Sequence, residues 1–260
     1  MTRPILNKIL LATALAAATL AAQTANTSQP KPKGPKEVEA IQAVFAAQDP
    51  DTRIAAVEKL VTKFSDTEFK AYALYAAASS YQQKNDMENV VVFAEKCLEA
   101  DPKFFGAQLM IANALAVRTK EFDLDREEKL GRVEKLAKEA LALIAGAAKP
   151  RPEITDEQWA AAKKDFSAQA YEALGLAAMP RKKWDVCVQQ LTLAISNATQ
   201  PDPATMVRLA SCQIELKKYD DAIATLDKAL ADANAAPQVK NVATSMKIQA
   251  NKAKAAAAAK

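Results

Sequence analysis

The sequence predicts an all-α protein, a solenoid of antiparallel helix hairpins, on three observations. Lys217–Leu230, KKYDDAIATLDKAL, runs from a turn into a helix with Ala222, Leu226 and Ala229 at i, i+4 and i+7. Lys183–Ile195, KWDVCVQQLTLAI, repeats that pattern with Trp184, Asp185, Cys187, Leu191 and Ala194, and a second amphipathic helix precedes each copy. The composition agrees: alanine is abundant, only 5 of 260 residues are glycine, and few runs are rich in β-branched side chains, which favours helices over sheets.

The chain opens with Arg3 and Lys8, then an apolar run Ile9–Ala22, then small residues. That order predicts a secretory signal peptide over 1–22, cut after Ala22 or nearby, and hence a periplasmic or secreted protein. The alternative is an uncleaved leader anchoring the chain in the inner membrane, although the run is shorter than the ~20 residues a spanning helix needs. No Cys follows the run, which argues against a lipoprotein anchor. Residues 23–36 include Asn26–Lys36, NTSQPKPKGPK, and read as a polar, Pro-rich tether with no means of burying itself.

A helical domain is expected over 37–256. Val38, Ile41, Val44 and Phe45 fall at helical spacing, Asp49-Pro50-Asp51-Thr52 breaks and caps, and Ile54, Val57, Leu60, Val61 and Phe64 form the next stripe. Together they predict a degenerate N-terminal hairpin. Four hairpins follow, at 71–104, 105–145, 168–201 and 203–236. The first carries Leu74, Ala77, Ala78 and Tyr81, then Val90, Ala94 and Cys97, and Asp101-Pro102 ends it. The second carries Ile111, Ala112 and Leu115, then Val133, Ala137 and Ala140, with about nine extra residues expected in its turn around Glu121–Glu128, EFDLDREE. An insertion, Gly146–Phe166, comes next. Inside it Thr155 and Gln158 have capping-box spacing and should start a long helix reaching about Ala178, with Trp159 and Phe166 covering the seam. The third hairpin carries Tyr171, Leu174, Gly175 and Ala178, then Cys187, Leu191 and Ala194. The fourth carries Met206, Leu209, Ala210 and Gln213, then Ala222, Leu226 and Ala229. A last helix sets Val239, Val242, Ala243, Met246 and Ala250 on one face and Asn241, Lys247 and Asn251 on the other, as a terminal cap requires. Residues 257–260 read as a disordered tail.

These four copies resemble the tetratricopeptide repeat (TPR) family over about two-thirds of the chain, Ala71–Ala236. The turn and second helix of copies three and four are the most specific part. The resemblance implies a right-handed α-solenoid whose small residues, Ala78, Ala112, Gly175 and Ala210, sit where helices cross closely. It also implies a concave face lined by first helices that binds an extended peptide or a partner helix. The positions expected on that face include Tyr72, Tyr75, Ser79 and Gln82 from copy one and Leu109 and Asn113 from copy two. Leu176 and Met179 come from copy three, Val207 and Ile214 from copy four. This set is largely apolar. Only Asn113 fits the carboxylate clamp of some family members, and no Lys or Arg stands beside it, so a clamp is not expected. Tyr72 and Tyr75 are the expected anchors of a partner, unless they pack against the Arg53–Phe64 helix instead.

Several function classes drop out. The chain has no histidine, which removes His-based zinc sites and Ser-His or Cys-His catalysis. There is no Gly-rich phosphate loop, and no enzyme activity, cofactor or metal is expected. The formal charge of +4 falls to +2 without Arg3 and Lys8, and no dense basic patch with interleaved aromatics appears, so no nucleic-acid partner is expected. The loop Asp123–Glu128 lacks the glycine and ligand order of a calcium site. Cys187 and Cys212 could pair in an oxidising compartment, but the favoured reading makes Cys97, Cys187 and Cys212 small buried fillers. The expectation is a non-enzymatic adapter of the bacterial cell envelope holding another protein. The alternative is a carrier of a small amphiphile or lipid between the helices. What co-purifies, a polypeptide or an extractable lipid, separates them.

Overall fold

The computed structural model describes residues 30–258, and the leader and the first half of the tether, 23–29, lie outside them. The described residues form eleven helices and no strand. In chain order they are α1 Pro35–Ala46, α2 Pro50–Lys63, α3 Lys70–Gln83, α4 Met87–Ala100, α5 Phe105–Arg118 and α6 Arg126–Gly146. α7 Asp156–Ala178, α8 Trp184–Asn197, α9 Pro203–Glu215, α10 Tyr219–Ala231 and α11 Pro237–Ala258 follow. The protein is all-α, as the periodicity predicts. It divides into two compact units. One holds the described residues up to Ala114 with Glu139–Ala160, the other Leu115–Lys138 with the described residues from Ala161.

Within each unit, helices that follow one another in sequence pack together. In the first unit α1 lies on α2, α2 on α3 and α3 on α4. In the second α8 lies on α9, α9 on α10 and α10 on α11. Helices two apart also touch at the ends of the described chain, α1 with α3 and α9 with α11. That is the nearest-neighbour packing by which hairpins share a core that none could bury alone.

The repeat is also written in the backbone. Asn85, Lys182 and Lys217 have φ of 58°, 55° and 60°, and each stands two residues before a helix, α4, α8 and α10. The N–H after each one donates to a carbonyl five residues back: Asp86 to Tyr81 at 2.9 Å, Lys183 to Ala178 at 3.1 Å and Lys218 to Gln213 at 2.9 Å. One left-handed residue and this bond close the first helix of each hairpin and reverse the chain. Copy two departs from it. Seven residues, 119–125, join its helices, against three in copies one and four, and α6 runs to 21 residues where α4 has 14. The turn is thus only four residues longer, not nine, and the helix after it takes seven more.

The positions expected at helix crossings are inside. Ala78, Ala112 and Ala210 are fully buried, and Gly175 is buried against Leu191. The caps follow the sequence as well. Asp49 accepts from the Thr52 N–H at 2.8 Å. The Thr155 N–H donates to the Gln158 side chain at 3.0 Å, and the Gln158 N–H to the Thr155 hydroxyl at 3.2 Å. Trp159 is buried and its Nε1 donates to the Ala147 carbonyl at 3.2 Å, while Phe166 is half-buried.

Three expectations need correcting. The end of the tether is not loose: helix α1 starts at Pro35, and the Lys33 N–H donates to buried Glu37 at 2.5 Å. The Lys33 ammonium also meets Asp66 at 2.5 Å, and the Lys31 N–H donates to Glu68 at 2.9 Å. At the other end α11 continues to Ala258, two residues into the expected tail. The cysteines are not three equivalent fillers either. Cys187 of α8 and Cys212 of α9 form a disulfide with Cα atoms 6.2 Å apart, and Cys97 is free and buried.

Candidate interaction surface

Much of the expected groove is interior. Tyr72, Leu109 and Leu176 are only 7%, 1% and 8% exposed. They build the core and offer no surface to a partner. The physical reason for Tyr72 is Phe104, fully buried, whose ring meets Tyr72 edge-on at 5.5 Å and Tyr75 tilted at 5.0 Å; Phe69 adds a third contact to Tyr72 at 6.4 Å. Burial, with Asp101 and Cys97 nearby, pushes the Tyr72 phenol up to about 12. Met179 is half-buried against the cluster built on Cys187, Leu191 and Cys212, while Val207 and Ile214 pack on the Ala210–Ala222–Leu226–Ala243 cluster.

In the first unit Gln82 is exposed and Tyr75, Ser79 and Asn113 are half-buried. Asn113 donates from its amide to the Leu109 carbonyl at 3.0 Å. Tyr75, Ser79 and Gln82 lie on one stripe of α3, at i, i+4 and i+7. What reaches the surface there is more polar than the sequence pattern suggests.

Two clefts of the second unit gather charged side chains, one of them over a partly apolar floor of Ala168, Ala194, Ile195 and Ala198. One, of about 220 Å³, lies among α7, α8 and α9 and includes Asp165, Gln169, Glu172 and Thr205. Its charges are already engaged. The Thr199 N–H and hydroxyl donate to Asp165 at 2.7 and 2.9 Å. Glu172 accepts from the Thr205 hydroxyl at 2.8 Å and from Arg208 at 2.7 Å. The other cleft, of about 390 Å³, is bounded by Glu121, Arg126, Glu127, Glu134 and the α7–α8 turn. Arg181 there has a side chain only 11% exposed, bridging Glu127 at 2.8 Å and Glu134 at 2.5 Å. Its guanidinium, with that of Arg126, holds the Glu127 carboxyl below the usual carboxylate range. Lys182 reaches Glu121 at 2.7 Å.

By sequence pattern, Asp123–Lys129 and Arg181–Lys183 read as separate solvated turns. The structure joins them through these ion pairs. It also leaves Phe122 and Leu124, 87% and 107% exposed, between the paired acids. No helix among the described residues is long and apolar enough to cross a membrane, and no group of three or more His, Cys, Asp or Glu among them is placed to hold a metal ion.

Two tetratricopeptide repeat family models match the chain, over residues 71–104 and 191–245. The first coincides with the hairpin expected from the sequence. The second takes in the end of α8, then α9, α10 and the start of α11. No curated protein matches the chain. Among solved structures, a thermophilic TPR protein of Thermus thermophilus is similar at 15% sequence identity, with a TM-score of 0.54 over 82% of this chain and 99% of that one. At that identity the likeness shows the fold. The chain carries tetratricopeptide repeats in a TPR-like helical fold, and such repeats generally mediate protein–protein contacts.

Proposed function

We propose that the chain is a non-enzymatic protein-interaction adapter of the bacterial cell envelope, holding a peptide or helix of another protein against its first helices. The observation that carries the reading is the repeated hairpin itself: the same left-handed turn in three copies, with family models matching at 71–104 and 191–245. Such stacks use first-helix positions for recognition. Of the positions expected in the first unit, Tyr75, Ser79 and Gln82 on α3 and Asn113 on α5 are the ones that reach the surface. The partner they suit combines an aromatic or aliphatic contact with amide and hydroxyl hydrogen bonds.

The envelope location rests on the leader pattern and on the Cys187–Cys212 disulfide, since disulfides persist in oxidising compartments. The non-enzymatic reading rests on a sequence without histidine. The adapter reading is preferred to a lipid carrier because the repeated hairpin supports it, and the cleft at the α7–α8 turn is lined by paired charges.

The test is affinity capture from envelope fractions with the leaderless chain and with Tyr75→Ala/Gln82→Ala. One polypeptide should be captured stoichiometrically, and the double variant should lose at least about tenfold of it with an unchanged helical spectrum. Capture indifferent to both substitutions overturns the groove. Fractionation that finds the chain in the cytosol with its leader intact overturns the location.

A further inference from the structure

We infer that the Cys187–Cys212 bond is a redox lock on the second unit: closing it fixes the stack α8–α11, and reducing it opens that stack while the first unit stays folded. The two sulfurs sit at the centre of the packing. Cys187 and Cys212 are fully buried, and with Ala178, Leu191 and Leu209 they form the cluster that joins α7, α8 and α9. Copy three meets copy four there.

The two units are built from different material. In the first, Phe104, Phe105, Leu60, Leu109 and Ile111 are fully buried, and the rings of Tyr72 and Tyr75 pack on Phe104. In the second, from Ala161 on, Leu191 and Leu226 are the only fully buried side chains larger than cysteine; the others are alanines and the bonded pair. The cluster that joins α9, α10 and α11 is Ala210, Ala222, Leu226 and Ala243. An alanine removes little apolar surface from water, so each such contact contributes less than a leucine or phenylalanine would. The polar tie between copies three and four does not make up the difference. Arg208 and Glu172 pair at 2.7 Å with side chains 34% and 25% exposed, where solvent screens them. The first unit has no covalent tie, its cysteine Cys97 being free. The bond thus falls where the apolar core is thinnest.

Closing the bond removes two electrons and two protons from the two thiols, and a disulfide oxidant takes up both as it becomes a dithiol. A dithiol reductant runs the same exchange backwards. Either exchange needs a thiolate in line with a sulfur. The folded unit leaves no such path, because both residues are 0% exposed. The bond therefore forms while α8 and α9 are still apart, and the closed unit then shields it. Without an oxidant the alanine-built stack has to hold itself. Its open state is then populated on the order of a hundredfold more, the loop-closure effect of a sequence separation of 25.

This inference does not rest on the adapter reading, since it concerns how α8–α11 hold together and not what they bind. The test is amide hydrogen exchange, read segment by segment by mass spectrometry, on the full chain. One sample is oxidised; the other is reduced in urea and diluted into buffer with dithiothreitol. On reduction the amides of α8–α10 should exchange on the order of a hundredfold faster, and those of α2–α4 should change by less than about twofold. Cys187→Ala/Cys212→Ala, which keeps the site apolar, should reproduce the pattern without reductant. In native buffer dithiothreitol should open the bond at least about a hundredfold more slowly than in the urea-unfolded chain. Exchange that speeds up evenly in both units overturns the inference, because the bond would then stabilise the chain as a whole. Unchanged protection of α8–α10, in the reduced chain or in the double variant, overturns it too. So does a native bond reduced as fast as the unfolded one.

Discussion

Gly175 and Leu191 approach so closely that a Cβ added at Gly175 would lie 2.6 Å from both Cγ and Cδ2 of Leu191 and 3.3 Å from its backbone nitrogen. The contact joins α7 to α8, the two helices of copy three. Leu191 is fully buried beside the disulfide, so its side chain has little room to turn away. Gly175→Ala should therefore destabilise by about 1 kcal/mol net, because overpacking costs ~1–3 kcal/mol and the better helix former returns ~1. Gly131, exposed on α6 with nothing within 4 Å of such a Cβ, is the control. Gly131→Ala should stabilise by ~0.5–1 kcal/mol. Urea melts of the two variants should shift in opposite directions; a stabilising Gly175→Ala would show that the helices do not cross there.

The Cys187–Cys212 bond ties α8 to α9, and so copy three to copy four, across a sequence separation of 25. Cross-linking a loop of that length should contribute about 3 kcal/mol. Cys187→Ser/Cys212→Ser should lose about that much, and reduction of the unsubstituted chain should lose the same. The unreduced, denatured protein should titrate a single thiol, that of Cys97. The native protein should react slowly even there, since Cys97 is buried and burial pushes its thiol well up, away from the reactive thiolate. Three reactive thiols in the denatured chain would refute the bond.

A left-handed conformation costs most residues ~1–2 kcal/mol and glycine almost nothing. Lys217, at φ 60° in the turn before α10, is exposed and takes part in no ion pair among the described residues. Lys217→Gly should raise stability by about 1 kcal/mol. Lys182→Gly should gain less, because it also removes the ion pair to Glu121, and Asn85→Gly least, because asparagine tolerates the conformation. That order, Lys217 first and Asn85 last, is readable from three thermal melts.

The architecture was legible because it is local. Helical spacing, Asp49 and Thr155 as caps, and alanines aligned across copies depend on residues a few positions apart, and the structure places each as that spacing requires. The surface was less legible because groove and core positions on a first helix differ by a small rotation. Tyr72 sits three residues before Tyr75, yet the sequence does not say that Phe104, more than one helix away, draws Tyr72 inside. Likewise EFDLDREE and Arg181-Lys182-Lys183 are each unremarkable charge runs. Only their contact, over fifty residues of separation, shows that one orders the other. Arg208 and Glu172, paired across copies three and four, were hidden by the same distance.

The phenol of Tyr72 offers a titration of the core itself. Burial is the largest cause of its rise to about 12, with the charge of Asp101 second. An unfolded chain would release that proton near the ordinary tyrosine value of ~10. Between those values the unfolded state binds fewer protons than the folded one, so stability should fall as pH rises through that window. Tyr72→Phe keeps the ring against Phe104 and removes the ionisation, so it should flatten the decline while costing at most ~1 kcal/mol at neutral pH. Absorbance near the phenolate band should show a late-titrating component in the native protein. Tyr81, whose phenol is also raised by burial and by Glu58, will contribute to it, and the difference between the native and Tyr72→Phe curves isolates the part due to Tyr72. If that difference titrates near 10, the ring of Tyr72 lies in water, and the reassignment of this residue from partner contact to core is wrong.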